Sequence, residues 1–290
     1  MAKWDDIYCS LLENVLENGT RASNRTGTDT IKIPFAHFTL NVGKEFPILT
    51  TKQLFIRQAV LEMLWIYQAQ SNDVRWLQER NVHIWDKWEI NEDGDWISET
   101  TGEVLKHFDK EWAHTIGTAY GYIVRKYGLM DHLLDSLKND PEDRRRVISL
   151  WQNADLEGAV LPSCVWSSEW DVTDGKLNLL VHQRSCDLPL GLPFNVTQYA
   201  VLLCMVAKDA GLEPGLLDWS IKDAHIYVDQ IDGVKEQLRR WHENGSYPAP
   251  KLWLNPEKKS FYDFDSSKDL KDIKLEDYKH MGKISFSLTQ

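Results

Sequence analysis

The chain is short of several things, and each shortage excludes a class of protein. It has four cysteines in 290 residues: Cys9, Cys164, Cys186 and Cys204. They are too sparse for a disulfide scaffold and carry no metal-ligand spacing, so no metal site is expected. Positive charge is in the minority, with 33 Lys and Arg against 44 Asp and Glu and a formal net charge of -11. That balance argues against a broad DNA or RNA surface and against an anionic membrane partner. If the protein binds an anion, it must concentrate its positive charge locally. No apolar run is long enough to span a bilayer. Trp4-Asp-Asp6 interrupts any secretory leader at once, so a reducing, cytoplasmic setting is expected. The chain has no Gly/Ser run, Pro-rich spacer, low-complexity block or internal repeat, which leaves one large domain as the simplest organisation. Neither a P-loop nor a Rossmann glycine fingerprint is present.

What the chain does have is a hydrophobic share of 42%, ample for a core, and 13 Trp. One stretch organises the rest: Leu161-Pro-Ser-Cys-Val-Trp-Ser-Ser-Glu-Trp170, then Gln183-Arg-Ser-Cys-Asp-Leu-Pro-Leu-Gly-Leu-Pro-Phe-Asn195. Between the two halves, Thr173-Asp-Gly-Lys176 carries Asp-Gly at the centre of a two-residue hairpin turn. Strand-forming residues flank it on both sides. If Thr173 pairs with Lys176, Cys164 falls opposite Ser185 and beside Arg184, and a bulge would shift this by one residue. A fixed cation beside a thiol lowers its pKa and favours the nucleophilic thiolate. On composition alone, Cys164 reads instead as a buried structural cysteine.

Residues 5–18 have apolar side chains at helical spacing and stop at Gly19. Asn24-Arg-Thr-Gly-Thr28 is a polar loop, either a solvated turn or an anion clamp built on Arg25. Residues 31–40 alternate like a strand. A helix over 58–70 is apolar on most sides, with Glu62 alone in its middle. A buried, unpaired carboxylate is costly and tends to a raised pKa. Glu62 is therefore either paired with a distant arginine or held ready as a general acid/base. Trp85 and Trp88 are core anchors or a flat aromatic wall for a planar ring. Residues 89–110 are acidic and polar, and Tyr120 follows Ile116-Gly-Thr-Ala. A helix over 131–138 leads to Arg144-Arg-Arg146 and a strand over 147–151. Three arginines there are a surface ion-pair network or a fork for phosphate. Residues 195–210 are apolar all round and end at Gly211, so that helix is buried, with Asn195 in its first turn. His225 and Tyr227, two apart, share a strand face. Residues 234–241 read as helix, and 250–255 and 259–264 as short strand-like edges.

Pro162-Ser-Cys164, Gln183-Arg-Ser-Cys-Asp187 and Gly191-Leu-Pro-Phe-Asn195 together resemble the active-site signature of thymidylate synthases. Similar blocks run in the family's order from Asn24-Arg-Thr-Gly-Thr28 to Asp263. The Cys164-Val-Trp-Ser-Ser-Glu-Trp170 wording is most similar to a bacillus-like branch. The resemblance implies an α+β fold in a single large domain: a predominantly mixed/antiparallel sheet packed by helices around a central buried helix, dimerising through the sheet. It also implies an insertion around residues 89–112. The implied reaction is reductive methylation of dUMP to dTMP, with 5,10-methylenetetrahydrofolate as cosubstrate, dihydrofolate as second product and no metal. By the same resemblance, Cys164 is the nucleophile, and Glu62 and Tyr120 serve proton transfers. Asn195 reads the O4 and N3–H edge of uracil, and Asp187 holds the pterin at the substrate. Arg25, Arg184 and Ser185 bind phosphate, joined by Arg144 and Arg145 from the second copy of a homodimer. His225 and Tyr227 meet the ribose 3'-hydroxyl. Ile84, Trp85, Trp88, Gly191 and Phe194 receive the reduced folate. Two departures stand out. Val165 sits where many relatives carry His, and the tail Ser287-Leu-Thr-Gln290 is unusually polar. A wetter site lets water capture the methylene, which gives the alternative of a dUMP hydroxymethylase releasing 5-hydroxymethyl-dUMP and tetrahydrofolate. A catalytically idle RNA-binding or regulatory homologue is a third reading. The net charge and the intact Cys164, Arg184 and Asn195 set argue against it.

Overall fold

The computed structural model describes residues 2–99 and 101–287. In chain order the elements begin α1 (Lys3–Asn18), β1 (Thr20–Ala22), β2 (Thr30–Asn41), α2 (Ile56–Tyr67), α3 (Arg75–Gln78), β3 (Asp95–Ile97) and β4 (Val104–His107). Next are α4 (Gly121–Lys126), α5 (Leu129–Asn139), β5 (Val147–Ser149), β6 (Val165–Thr173), β7 (Lys176–Gln183) and β8 (Cys186–Asp187). The last are α6 (Gly191–Ala210), β9 (Glu213–Tyr227), α7 (Ile231–Asn244), β10 (Lys251–Leu254) and β11 (Ile273–Glu276).

One mixed, mostly antiparallel sheet dominates, in the order β1-β2-β9-β7-β6-β5, with β8 pairing beside β9. β7 and β8 run parallel to β9; the other pairings are antiparallel. Period-two alternation sends Phe38, Leu40, Leu179, Val181, Leu217 and Trp219 to one buried face. Their neighbours, among them Phe35 and Val147, point the other way and are exposed. The β6–β7 turn forms as its sequence requires. Asp174 and Gly175 have φ of 52° and 71°, both left-handed, which suits Asp-Gly in a type I′ hairpin.

The buried face is covered by helices, with α6 at the centre. Val201, Leu202, Leu203 and Val206 are completely buried, each contributing about 1.5–3 kcal/mol by leaving water. Gly211, at φ 69°, caps the helix. α6 begins at Gly191, one turn earlier than residue 195, because Pro193 is tolerated in a first turn whose N–H groups have no helical partner. Other boundaries shift similarly: α2 spans Ile56–Tyr67 and β5 stops at Ser149. Residues 259–264 are not a strand. Phe261–Asp263 form a 3-10 turn, with Ser260 and Asp263 closing a reciprocal capping box. Among the described residues, no helix is long and apolar enough to cross a membrane.

Candidate active site

Cys164 lies just before β6, and a bulge decides what it faces. Ser167 pairs with His182, but Val165 pairs with Gln183, so Trp166 is the extra residue. The register therefore slips by one, and Cys164 lies opposite Arg184 rather than Ser185. The Arg184 N–H donates to the Cys164 carbonyl at 2.9 Å. Its guanidinium donates to Pro162 O at 2.6 Å and Ser163 O at 3.1 Å, which leaves Nη2 3.7 Å from the Cys164 Sγ. The expected drop in thiol pKa is not the net effect. Burial pushes the thiol up, and Arg184 and Arg25 offset only part of that. The Cys164 N–H donates to the Tyr120 hydroxyl at 3.2 Å. Tyr120 holds φ at 50°, a strained backbone for a bulky residue costing about 1–3 kcal/mol, and it sits where α4 begins.

Glu62 has no arginine partner. Its Oε1 accepts from Trp85 Nε1 at 2.6 Å, and its Oε2 accepts from Gln198 Nε2. Burial pushes its carboxyl up to about 7, against the pull of those two donors. Gln198 Oε1 accepts from Asn195 Nδ2 at 3.1 Å, and Asn195 Oδ1 accepts from Gln183 Nε2 at 3.1 Å. Gln183 Oε1 accepts from Trp219 Nε1 at 3.0 Å. An unbroken run of side-chain hydrogen bonds thus links the sheet, through Asn195 and Gln198 in the second turn of α6, to the carboxylate of α2.

Two cavities meet at this point. One, of about 570 Å³, carries the charged and hydroxyl side chains Arg25, Arg184, Ser185, His225 and Tyr227, with Lys32 and Lys222 adding positive charge and Asp187 and Asp223 negative. Four cations of an acidic chain thus line one cavity, Lys32 among them pairing with Asp223 at 3.3 Å. The Asn24 side chain shapes the Arg25 loop, accepting from the Thr26 N–H at 2.8 Å and donating to Thr28 O at 2.8 Å. The rings of His225 and Tyr227 meet edge-on at 5.1 Å, as two residues on one strand face should. The other cavity, of about 510 Å³, is walled by Ile84, Trp85, Trp88, Phe194 and Phe286 and also reaches Glu62, Tyr120 and Asn195. Cys164, Ser185, Asp187 and Gly191 line both. Asp187 accepts from the Leu190 N–H at 3.0 Å and Gln230 Nε2 at 2.9 Å, and burial raises its pKa despite them.

Arg144 and Arg145 are exposed and line neither cavity; Arg145 pairs with Asp143 at 2.8 Å. Arg146 is buried and donates to Ser136 Oγ at 2.9 Å, a structural role. Three further residues join the site that the sequence did not single out. Gln198 lies three residues beyond Asn195, on the same helix face, and that spacing was a usable signal. Gln183 lay within the motif without an assigned task. Lys52 had no signal; its ammonium is buried, donates to Pro189 O and sits 4.5 Å over the Phe286 ring. Burial lowers its pKa to about 7, against the pull of Asp187. Residues 288–290 of the polar tail lie outside the described residues, and Lys283 to Phe286 line the apolar cavity. No group of His, Cys, Asp or Glu among the described residues is arranged to hold a metal.

The family model for thymidylate synthase matches residues 6–290. A thymidylate synthase from Clostridium beijerinckii is 48% identical over 289 residues, covering all of both chains. One from Bacillus licheniformis is 39% identical over 308 residues, covering 99% of each. The solved structure of the thermostable thymidylate synthase A from Bacillus subtilis superposes with a TM-score of 0.84 at 36% identity, covering 99% of each chain. Sequence similarity over the full length and a shared three-dimensional frame agree with the thiol, arginine and amide gathered at one junction. The chain belongs to the thymidylate synthase family and is a methyltransferase of that family.

Proposed function

We propose that the protein converts dUMP to dTMP by reductive methylation, using 5,10-methylenetetrahydrofolate and releasing dihydrofolate. The observation that carries the reading is the position of Cys164, where a cationic, hydroxyl-rich cavity meets an aromatic one. Arg25, Arg184 and Ser185 suit a nucleotide phosphate, and His225 and Tyr227 suit the sugar hydroxyl. Trp85, Trp88, Ile84, Phe194 and Gly191 suit a flat pterin, with Asp187 at its edge. When bound, the reduced folate supplies the one-carbon unit and the hydride.

The chain's own residues do the rest. The Cys164 sulfur gives up its proton and adds to uracil C6, which pushes electrons to O4 and makes C5 nucleophilic. Once C5 has taken the one-carbon unit it loses its proton, and the sulfur leaves C6 to release the product. Asn195 donates to O4, and a preorganised donor of this kind stabilises developing charge by about 3 kcal/mol. Glu62, held near neutrality at about 7, can both take and return a proton at operating pH. Tyr120 fixes the Cys164 backbone while lining the same cavity. Burial disfavours the free Cys164 thiolate, so Arg184 acts to offset that cost and to aim the sulfur.

The working unit in this reading is a homodimer. The outward face of the sheet carries exposed Phe35 and Val147, and the exposed Arg144 and Arg145 would reach the partner's phosphate. Free cysteines and a thiol nucleophile suit a reducing, cytoplasmic compartment. A product assay with dUMP and methylenetetrahydrofolate tests the reaction. Dihydrofolate together with dTMP is the expected outcome; tetrahydrofolate with 5-hydroxymethyl-dUMP would overturn it.

A further inference from the structure

An asparagine cannot by itself tell uracil from cytosine. Its amide donates from one end and accepts at the other, and a half-turn swaps the two. Uracil presents an acceptor at position 4 and a donor at N3; cytosine presents the reverse. Asn195 discriminates only if something holds its amide one way round. The hydrogen-bonded run through the site supplies that hold.

Trp219 has an indole N–H, which donates and never accepts. It is completely buried and makes its hydrogen bond to Gln183 Oε1 at 3.0 Å. It cannot turn away, since Tyr199 meets it edge-on at 5.5 Å and Phe38 stacks on it at 6.4 Å. The Gln183 oxygen must therefore face the indole, and its nitrogen must face Asn195 Oδ1. Asn195 Nδ2 is then turned to Gln198 Oε1, and the Gln198 nitrogen to Glu62. Glu62 closes the run as an acceptor, held from its other side by the Trp85 N–H at 2.6 Å. Reversing Asn195 would bring donor against donor or acceptor against acceptor at buried groups.

We propose that Trp219, acting through Gln183, is a positioning residue that sets the polarity of the Asn195 amide and thereby makes the site choose uracil over cytosine. The proposal rests on the dUMP reading above. It locates specificity not in the asparagine alone but in an indole on β9, two side chains away.

The test is the ratio of dissociation constants for dUMP and dCMP, measured by equilibrium binding to the full-length protein and to Trp219→Phe. The variant removes the donor and keeps an aromatic ring. Folding damage alone would weaken both nucleotides together, whereas loss of polarity narrows their ratio, on the order of tenfold for one buried hydrogen bond. An unchanged ratio in a folded variant overturns the proposal. If Trp219→Phe does not fold, Gln183→Glu decides the matter. A carboxylate there presents an oxygen to Asn195, draws Nδ2 toward itself and moves the ratio toward dCMP; no movement refutes the relay. A wild-type protein that binds neither nucleotide refutes the dUMP reading and this proposal with it. A selective wild-type protein with indifferent variants refutes the relay alone.

Discussion

Replacing Glu62 by Gln removes a carboxyl whose pKa burial has moved from its ordinary 4.5 to about 7. Between those values the folded protein holds a proton that the unfolded chain has released. Stability from this group is therefore fully present below pH 4.5 and is lost as pH rises through 7. Between pH 5 and pH 8 the loss amounts to about 2.5 kcal/mol, from a limiting slope of about 1.4 kcal/mol per pH unit. The Gln side chain keeps the shape but turns an N–H toward one of the two donors, from Trp85 or Gln198, costing about 1–3 kcal/mol at every pH. Only the pH-dependent part is diagnostic. The ionisable neighbours Tyr120, Tyr199 and Cys164 all have pKa values raised by burial, so they stay protonated across this window in both proteins. Urea unfolding of wild type and Glu62→Gln at pH 5, 6, 7 and 8, at one protein concentration, gives the difference directly. The variant should gain about 2.5 kcal/mol on the wild type from pH 5 to pH 8. A difference flat to within about 0.5 kcal/mol would show that burial does not hold the Glu62 proton.

Two further outcomes test the site. Trp85→Phe removes a donor that favours the ionised Glu62, so the limb of the kcat pH profile belonging to Glu62 should move up by about one pH unit; a limb that stays put means that this hydrogen bond does not tune the carboxyl. Cys164→Ser and Arg145→Ala should each be inactive alone, yet an equal mixture allowed to exchange subunits should recover about a quarter of wild-type sites, because half the dimers pair one intact site with one doubly defective site. Continued inactivity of the mixture would mean that Arg145 serves its own chain.

Local chemistry determined much of the fold from the sequence. Asp174-Gly175 forms the β6–β7 turn because only residues that tolerate positive φ fit a type I′ hairpin, and Gly211 stops α6 for the same steric reason. The all-round apolar stretch ending at Ala210 announced a buried helix, since no face of it could remain in water. The Cys164, Arg184 and Asn195 blocks carried the family because side-chain chemistry at such spacings is itself sequence information.

Tertiary structure decided what those residues touch. The bulge at Trp166, which puts Arg184 rather than Ser185 opposite Cys164, depends on how two strands meet and not on the composition of either. Glu62 read as a lone acid because its partners, Trp85 and Gln198, lie 23 and 136 residues away. The thiol's pKa follows the same logic: a neighbouring arginine was legible, but the depth of burial that outweighs it belongs to the whole packed domain. Sequence determines which groups are present and how the backbone can turn locally. Hydrogen-bond partners, desolvation and the direction of an amide are long-range quantities, and they exist only once the chain has folded.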